Sequence, residues 1–193
     1  MSRIDSSTFK KLTNLADFDS RPLPFPFHLF PFHKSPFFLP LHSYKKSKMS
    51  KAIIKTEKGD MTVEFYDKDA PNTVANFKKL ASSGFYNNVI FHRVIPNFMI
   101  QGGDPTGTGA GGPGYKIDCE LTGDNQYHDR GVLSMAHAGR NTGGSQFFIC
   151  HSRANTAHLD RHHTAFGKVI ENVEVVDKIQ KGDKILGIEL LED

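Results

Sequence analysis

FHRVIPNFMIQGGD, Phe91 to Asp104, is the stretch on which the reading of this chain turns. Side chains alternate across a strand, so in an extended NFMIQ the Met99 and Gln101 side chains share one face and Ile100 takes the other. Arg93 stands among large apolar residues. A buried guanidinium costs several kcal/mol unless it is paired, and the nearest downstream carboxylate is Asp104. Either an acidic partner comes from elsewhere in the fold, or Arg93 lines an apolar surface and meets a ligand there.

A second segment repeats the pattern. In SQFFIC, Ser145 to Cys150, Gln146 and Phe148 share one face, Phe147 and Ile149 the other. Two strands that each set an amide beside a large apolar group describe a surface with a greasy floor, a polar rim and one cation. Around them, KAIIKTEKGDMTVEFYDK reads as two strands about a turn at Lys58-Gly59-Asp60, with Met61, Val63 and Phe65 alternating. APNTVANFKKLASSGFY reads as a helix: Val74, Phe77 and Ala81 recur at helical spacing, Pro71 suits the first turn and Gly84 the C-terminal cap. Short strands are expected near residues 89–93, 97–101, 131–136, 146–150 and 164–170, a second helix over Val173–Gln180 and a last strand over Lys184–Leu191. Many short strands, Gly-rich loops and only two helices describe a mainly β protein, an antiparallel sandwich or closed barrel. An eight-stranded barrel has an interior just wide enough to fill with side chains. Phe147, Ile149 and Ile100 would fill it, leaving a ligand to the outer wall beside Met99, Gln101, Gln146 and Phe148.

The chain divides near Met49 into an N-terminal extension, residues 1–48, and a globular domain, residues 49–193. The extension holds six of the ten prolines and half of the sixteen phenylalanines. LPFPFHLFPFHKSPFFLPLH follows neither a helical nor a strand period, and its prolines forbid both ladders, so disorder is expected. Three readings stand for it: a tail or translated upstream sequence, an organelle-targeting segment, or a docking tail. It carries eight Lys/Arg against three Asp, a net of +5; with +3 for the whole chain, the domain is left at −2. A nucleic-acid reading from basic charge therefore fails. Cys119 and Cys150 make no disulfide framework and are expected as buried free thiols in strand-like segments of a cytoplasmic, reducing environment. No apolar run approaches the ~18–20 residues of a membrane span.

Three other motifs lead nowhere. GTGAGG, Gly107 to Gly112, matches a dinucleotide fingerprint, but that chemistry needs a strand before it and a helix after it. Here Asp104-Pro105 precedes and Pro113-Gly114 follows, which describes a long mobile loop. His151, His158, His162 and His163 crowd together, yet no cysteine or acid completes a zinc spacing. GGSQF lacks the second glycine of a nucleophile elbow at Phe147, so Ser145 with Asp160 and His163 makes a poor hydrolase.

FHRVIPNFMIQGGDPTGTGAGGPGY, then GVLSMAHAGRNTGGSQFFI, then HLDRHHTAFGKVIENVEVVDKI resemble the cyclophilins, the peptidyl-prolyl cis–trans isomerases, in their bacterial single-domain form. The resemblance runs from about Ala52 to Glu192. It implies an eight-stranded closed antiparallel β-barrel capped by two α-helices, with a groove on the outer wall. It implies Arg93 as the catalytic residue. It also implies a proline pocket of Phe98, Met99, Phe148 and Leu159 with His163 at its edge, and Gln101, Ala136, His137 and Gln146 as the groups that bind the substrate backbone.

The implied reaction is rotation about an X-Pro peptide bond. No bond is made or broken, so no metal or cofactor is required. The implied partners are Pro-containing peptides and unfolded client proteins. No exposed apolar stripe in the sequence demands a protein partner, so a monomer is expected. The alternative, a module that holds Pro segments without turning them, is disfavoured by the presence of Arg93, Gln101 and Phe148 together. Several rim positions depart from the common eukaryotic pattern. His158 stands where many members have tryptophan, which implies weak cyclosporin binding because the indole donates a hydrogen bond to that drug. His137 and Gly143 replace asparagines, Asn97 a glycine and Arg140 a proline.

Overall fold

The computed structural model describes residues 49–191, and the Pro/Phe-rich extension expected over residues 1–48 lies outside them. The chain opens with the antiparallel pair β1 (Lys51–Thr56) and β2 (Gly59–Phe65). Their turn is two residues long, Glu57-Lys58, tighter than the Lys58-Gly59-Asp60 expected. Thr56 closes it by donating its hydroxyl to the Gly59 carbonyl at 2.6 Å. Gly59 already belongs to β2 at φ +125°, in the region only glycine occupies freely.

Helix α1 (Pro71–Ser82) follows, with Pro71 in its first turn and Gly84 at φ +73° just past its end. The residue before it, Ala70, offers no side-chain cap. Glu120 supplies one from a distant loop, accepting from the amides of Asn72 at 3.1 Å and Thr73 at 2.8 Å.

The remaining strands are β3 (Val89–Ile90), β4 (Arg93–Ile95), β5 (Met99–Gly102), β6 (Val132–Met135), β7 (Phe147–Cys150), β8 (Ala165–Glu171) and β9 (Lys184–Leu191). They form one sheet in the order β3-β9-β1-β2-β8-β6-β7-β5-β4. All described pairings are antiparallel. Nine strands stand where eight were expected, and no ladder joins the two edges. The edges are nonetheless neighbours in the chain, because β3 ends at Ile90 and β4 begins at Arg93. The expected strand over 89–93 is thus one bent strand. Its first half pairs with β9 and its second with β5, so the sheet curls until its ends meet. The bend falls at Phe91 and His92. Phe91 turns wholly inward, and its N–H and C=O go to Asp183 and Gly182.

Two other boundaries moved. The strand expected from residue 97 begins at Met99, because Asn97 takes φ +61° in the β4–β5 turn. The helix expected over Val173–Gln180 shortens to α3 (Val175–Lys178), since Ile179 turns extended and packs into the core. A four-residue helix not anticipated, α2 (Arg153–Thr156), runs into a 3₁₀ turn at Ala157–Leu159.

The alternation read from the sequence sorts two apolar layers. Ile100, Leu133, Phe147 and Ile149 point inside the barrel and are wholly buried. Phe77 of α1 closes one mouth, its ring 5.1–5.6 Å from the rings of Phe65, Tyr86, Phe147 and Phe166. Val175 of α3 lies against Gly59 at the opposite end of β2. Met99, Phe148, Cys150, Val132 and Ala165 form a separate apolar cluster on the outer wall, where Phe98, Ala136 and Leu159 pack on them. Cys119 departs from expectation. It sits half-exposed outside any strand, its sulfur accepting from the Asn141 N–H at 3.2 Å, whereas Cys150 is buried.

Candidate active site

Strand register places the site. Arg93 on β4 pairs with Gln101 on β5, Gln101 with Phe148 on β7, and Phe148 with Ser134 on β6. The outward side chains of one row across four strands therefore read cation, amide, aromatic ring, hydroxyl. The row runs into a cavity of about 660 Å³ lined by Arg93, Phe98, Met99, Gln101, Ala136, His137, Gln146, Phe148, Leu159 and His163. Every expected site residue except His158 lies on its wall.

Arg93 is exposed, and among the described residues no carboxylate pairs with it. Its Nη1 lies 3.3 Å from the Gln101 Oε1 and 3.9 Å from the Met99 sulfur. Gln101 in turn donates through Nε2 to the Gln146 Oε1 at 3.0 Å. Gln146 donates to the carbonyls of Gly109 and Gly111, both at 2.9 Å. The glycine loop expected to be mobile is thus fastened to the groove.

The floor is Met99, 1% exposed, and Phe148, 4% exposed. The His163 ring meets Phe148 edge-on at 5.5 Å, and its Nδ1–H donates to the Met135 carbonyl at 3.0 Å. Burial lowers the His163 pKa, opposed by that hydrogen bond and assisted by His137, His162 and His158. The imidazole is therefore a neutral wall. His137 stacks on it at 4.0 Å and places Nε2 3.0 Å from the His162 carbonyl. The Ala136 N–H donates to the Gln146 carbonyl at 2.9 Å. His158 stands just outside the cavity wall on the 3₁₀ turn, its ring stacked on Phe98 at 5.8 Å.

A polar layer behind the floor had no counterpart in the sequence reading. The wholly buried His128 stacks on the far face of Phe148 at 5.8 Å. Its Nε2 lies 2.8 Å from the Ser134 hydroxyl and its Nδ1 3.3 Å from Asp160. Arg153 clamps that carboxylate with two hydrogen bonds, 2.8 and 2.6 Å. His128 and Asp160 are 32 residues apart, and no periodic pattern links them.

The rival constellations come apart. His151 places Nε2 against the Val176 carbonyl, away from His163 on Met135. Among the described residues no group of three or more His, Cys, Asp or Glu could hold a metal. Ser145 is 1% exposed and donates to the Gly103 carbonyl at 2.6 Å, while Asp160 is engaged by Arg153, so neither serves a hydrolase.

Known proteins resemble this chain in sequence and in fold. A family model described as cyclophilin type peptidyl-prolyl cis-trans isomerase/CLD matches residues 51–187. A peptidyl-prolyl cis-trans isomerase of Synechococcus elongatus is 58% identical over 147 residues, 75% of this chain and 99% of that protein. Peptidyl-prolyl cis-trans isomerase B of Bacillus subtilis is 56% identical over 120 residues, 62% of this chain and 82% of its own. The crystal structure of a Cryptosporidium parvum cyclophilin type peptidyl-prolyl cis-trans isomerase superposes with a TM-score of 0.69 at 36% identity, covering 75% of this chain and 99% of that one. A second structure of that protein, obtained in the presence of the dipeptide Ala-Pro, superposes at 0.68 with 37% identity, covering 74% and 99%. A curled antiparallel sheet, a groove on its outer wall and a family match over most of the described residues lead to one assignment: this chain belongs to the cyclophilin-type peptidyl-prolyl cis-trans isomerases.

Proposed function

We propose that Arg93 carries the isomerisation by stabilising an X-Pro amide in its twisted state. Rotation about a peptide bond meets a barrier of ~18–20 kcal/mol. Only interactions stronger in the twisted state than in either planar form can lower it. Twisting ends the amide resonance and returns a lone pair to the proline nitrogen. A guanidinium is always charged and presents several N–H donors. One of them donating to that nitrogen favours the twisted form selectively. Arg93 is exposed in the free protein, and a peptide laid across it excludes water and strengthens the bond.

The proline ring rests on Met99 and Phe148, between Phe98 and Leu159, with His163 at the edge. Gln101, Ala136, His137 and Gln146 hold the backbone on either side. The observation that carries this reading is an arginine without a carboxylate partner beside an apolar floor, aimed by the amide oxygen of Gln101.

The substrates follow as Pro-containing segments of unfolded proteins, an inference supported by the relative crystallised with Ala-Pro. Residues 49–193 form the catalytic domain. Free Cys150 suits the cytoplasm. Among the described residues the exposed large apolar side chains, Ile95, Tyr115, Tyr127, Ile170 and Leu186, sit on separate strands and loops, which supports a monomer, and no described helix is long and apolar enough to cross a membrane. The absence of a rim tryptophan at His158 points to weak cyclosporin binding. A protease-coupled assay on an Ala-Pro peptide tests the reading: wild type turns it over, and Arg93→Ala does not. Binding without turnover by the wild type would replace the enzyme with a holding module.

A further inference from the structure

Asp104 follows β5, is 1% exposed, and faces no cationic partner among the described residues. A lone buried carboxylate is costly unless hydrogen bonds satisfy it. Here they all come from the glycine loop. Oδ1 accepts from the Thr106 amide at 2.7 Å and its hydroxyl at 2.8 Å. Oδ2 accepts from the Gly109 amide at 2.6 Å, the Gly111 amide at 3.1 Å and the Thr108 hydroxyl at 3.4 Å. Burial raises the Asp104 pKa, but the hydrogen bonds from Thr106, Gly111 and Gly109 outweigh it and hold the carboxyl down to about 2. Nothing larger than glycine fits beside it, since a Cβ on Gly111 would fall 2.0 Å from Oδ1.

Gly109 and Gly111 are also the residues whose carbonyls meet Gln146. Their N–H groups point to Asp104 and their C=O groups to the groove. A carbonyl accepts only, so the end of the Gln146 amide facing the loop must be its NH₂. Oε1 is then left to face Gln101, which must answer with its own NH₂. The Gln101 oxygen is what remains for Arg93. Were Gln146 free to turn over, Gln101 could turn with it and present an NH₂ to a guanidinium that has no acceptor. The direction of each amide is inherited from the loop, and the loop is tied by one carboxylate.

We infer that Asp104 is a positioning residue for the isomerisation: acting through the 105–111 loop, Gln146 and Gln101, it fixes which end of the Gln101 amide faces Arg93. This rests on the reading of Arg93 as the catalytic group. It also gives the glycines of GTGAGG a use that has nothing to do with nucleotides. They let three backbone amides converge on a buried carboxylate while their carbonyls face the other way.

A double-mutant comparison tests it. Asp104→Asn keeps the shape and removes the charge, and should lower kcat/KM on an Ala-Pro peptide about tenfold. In a Gln101→Ala background, where the amide that faces Arg93 is gone and the relay from Gln146 ends, the same substitution should cost less than about twofold. A merely structural role would cost the same factor in both backgrounds, and that equality would overturn the inference. Thr106 is exposed, so Thr106→Val decides the matter if Asp104→Asn does not fold. It removes one hydroxyl donor and should cost about threefold in wild type and nothing in Gln101→Ala; equal losses again count against. If Arg93→Ala itself retained turnover, the underlying assignment of Arg93 would fail, whatever the coupling between Asp104 and Gln101.

Discussion

Arg93 and Gln101 face each other as register partners on β4 and β5, with the guanidinium Nη1 3.3 Å from the amide oxygen. That contact aims the cation without neutralising it, because an amide carries no net charge. A carboxylate in the same place would hold Arg93 in an ion pair and draw it away from a substrate nitrogen.

Arg93→Ala should therefore reduce kcat/KM by about two to three orders of magnitude, the scale set by losing one preorganised donor. Arg93→Lys should recover little of it, since a compact ammonium on a flexible stem does not reproduce the fork. Protease-coupled turnover of an Ala-Pro peptide reads both. Near-wild-type activity in the lysine variant would mean that charge alone suffices.

Phe77 is the plug of one barrel mouth, wholly buried among four aromatic rings. Phe77→Ala should destabilise the domain by about 3–5 kcal/mol, the transfer and cavity cost of an aromatic truncation. Urea denaturation should show a lower midpoint with an unchanged slope. A loss under about 1 kcal/mol would place α1 outside the cooperative unit.

The site was legible in the sequence wherever a strand period governs it. Met99 with Gln101, and Gln146 with Phe148, fall on the outer wall because alternate side chains must, while Ile100, Phe147 and Ile149 fill the barrel. The order of strands was not legible, and only that order brings Arg93, Gln101, Phe148 and Ser134 into one row. The bend at Phe91–His92 was hidden because one apolar run serves two ladders. The segment between β5 and β6 was hardest, since neither period applies where turns and Asp104 decide the path. Cys119 lies there and is half-exposed, and the glycine loop lies there and is fastened. The layer behind Phe148 escaped because it is polar, buried and assembled from distant residues.

His128 in that layer makes stability depend on pH. Burial lowers its pKa from the ordinary 6.5 to about 4, against the opposing pull of Asp160. As pH falls below 6.5 the unfolded chain takes up a proton that the folded chain refuses. The His128 contribution to stability is thus complete above pH 6.5, is lost between 6.5 and about 4, and changes no further below. The loss is on the order of 3 kcal/mol. His163, lowered in the same direction, adds to it. His128→Gln cannot titrate and should flatten this part of the curve in denaturant midpoints taken from pH 4 to 7. An unchanged slope would show that His128 is not the group responsible.

His158 stacks on Phe98 at 5.8 Å with the rings 15° apart, one residue from Leu159 in the pocket wall. An indole in its place would keep a flat ring on Phe98 and bring an N–H donor to the rim. His158→Trp should therefore tighten cyclosporin binding about tenfold, the worth of one added hydrogen bond. His158→Ala should weaken it, because Phe98 loses the ring that covers it. Inhibition of Ala-Pro turnover by cyclosporin measures all three proteins on one scale. If the tryptophan variant bound no tighter than wild type, the weakness would have to lie elsewhere on the rim. His137 would then be the next residue to exchange, since its stack on His163 at 4.0 Å fills space above the pocket edge.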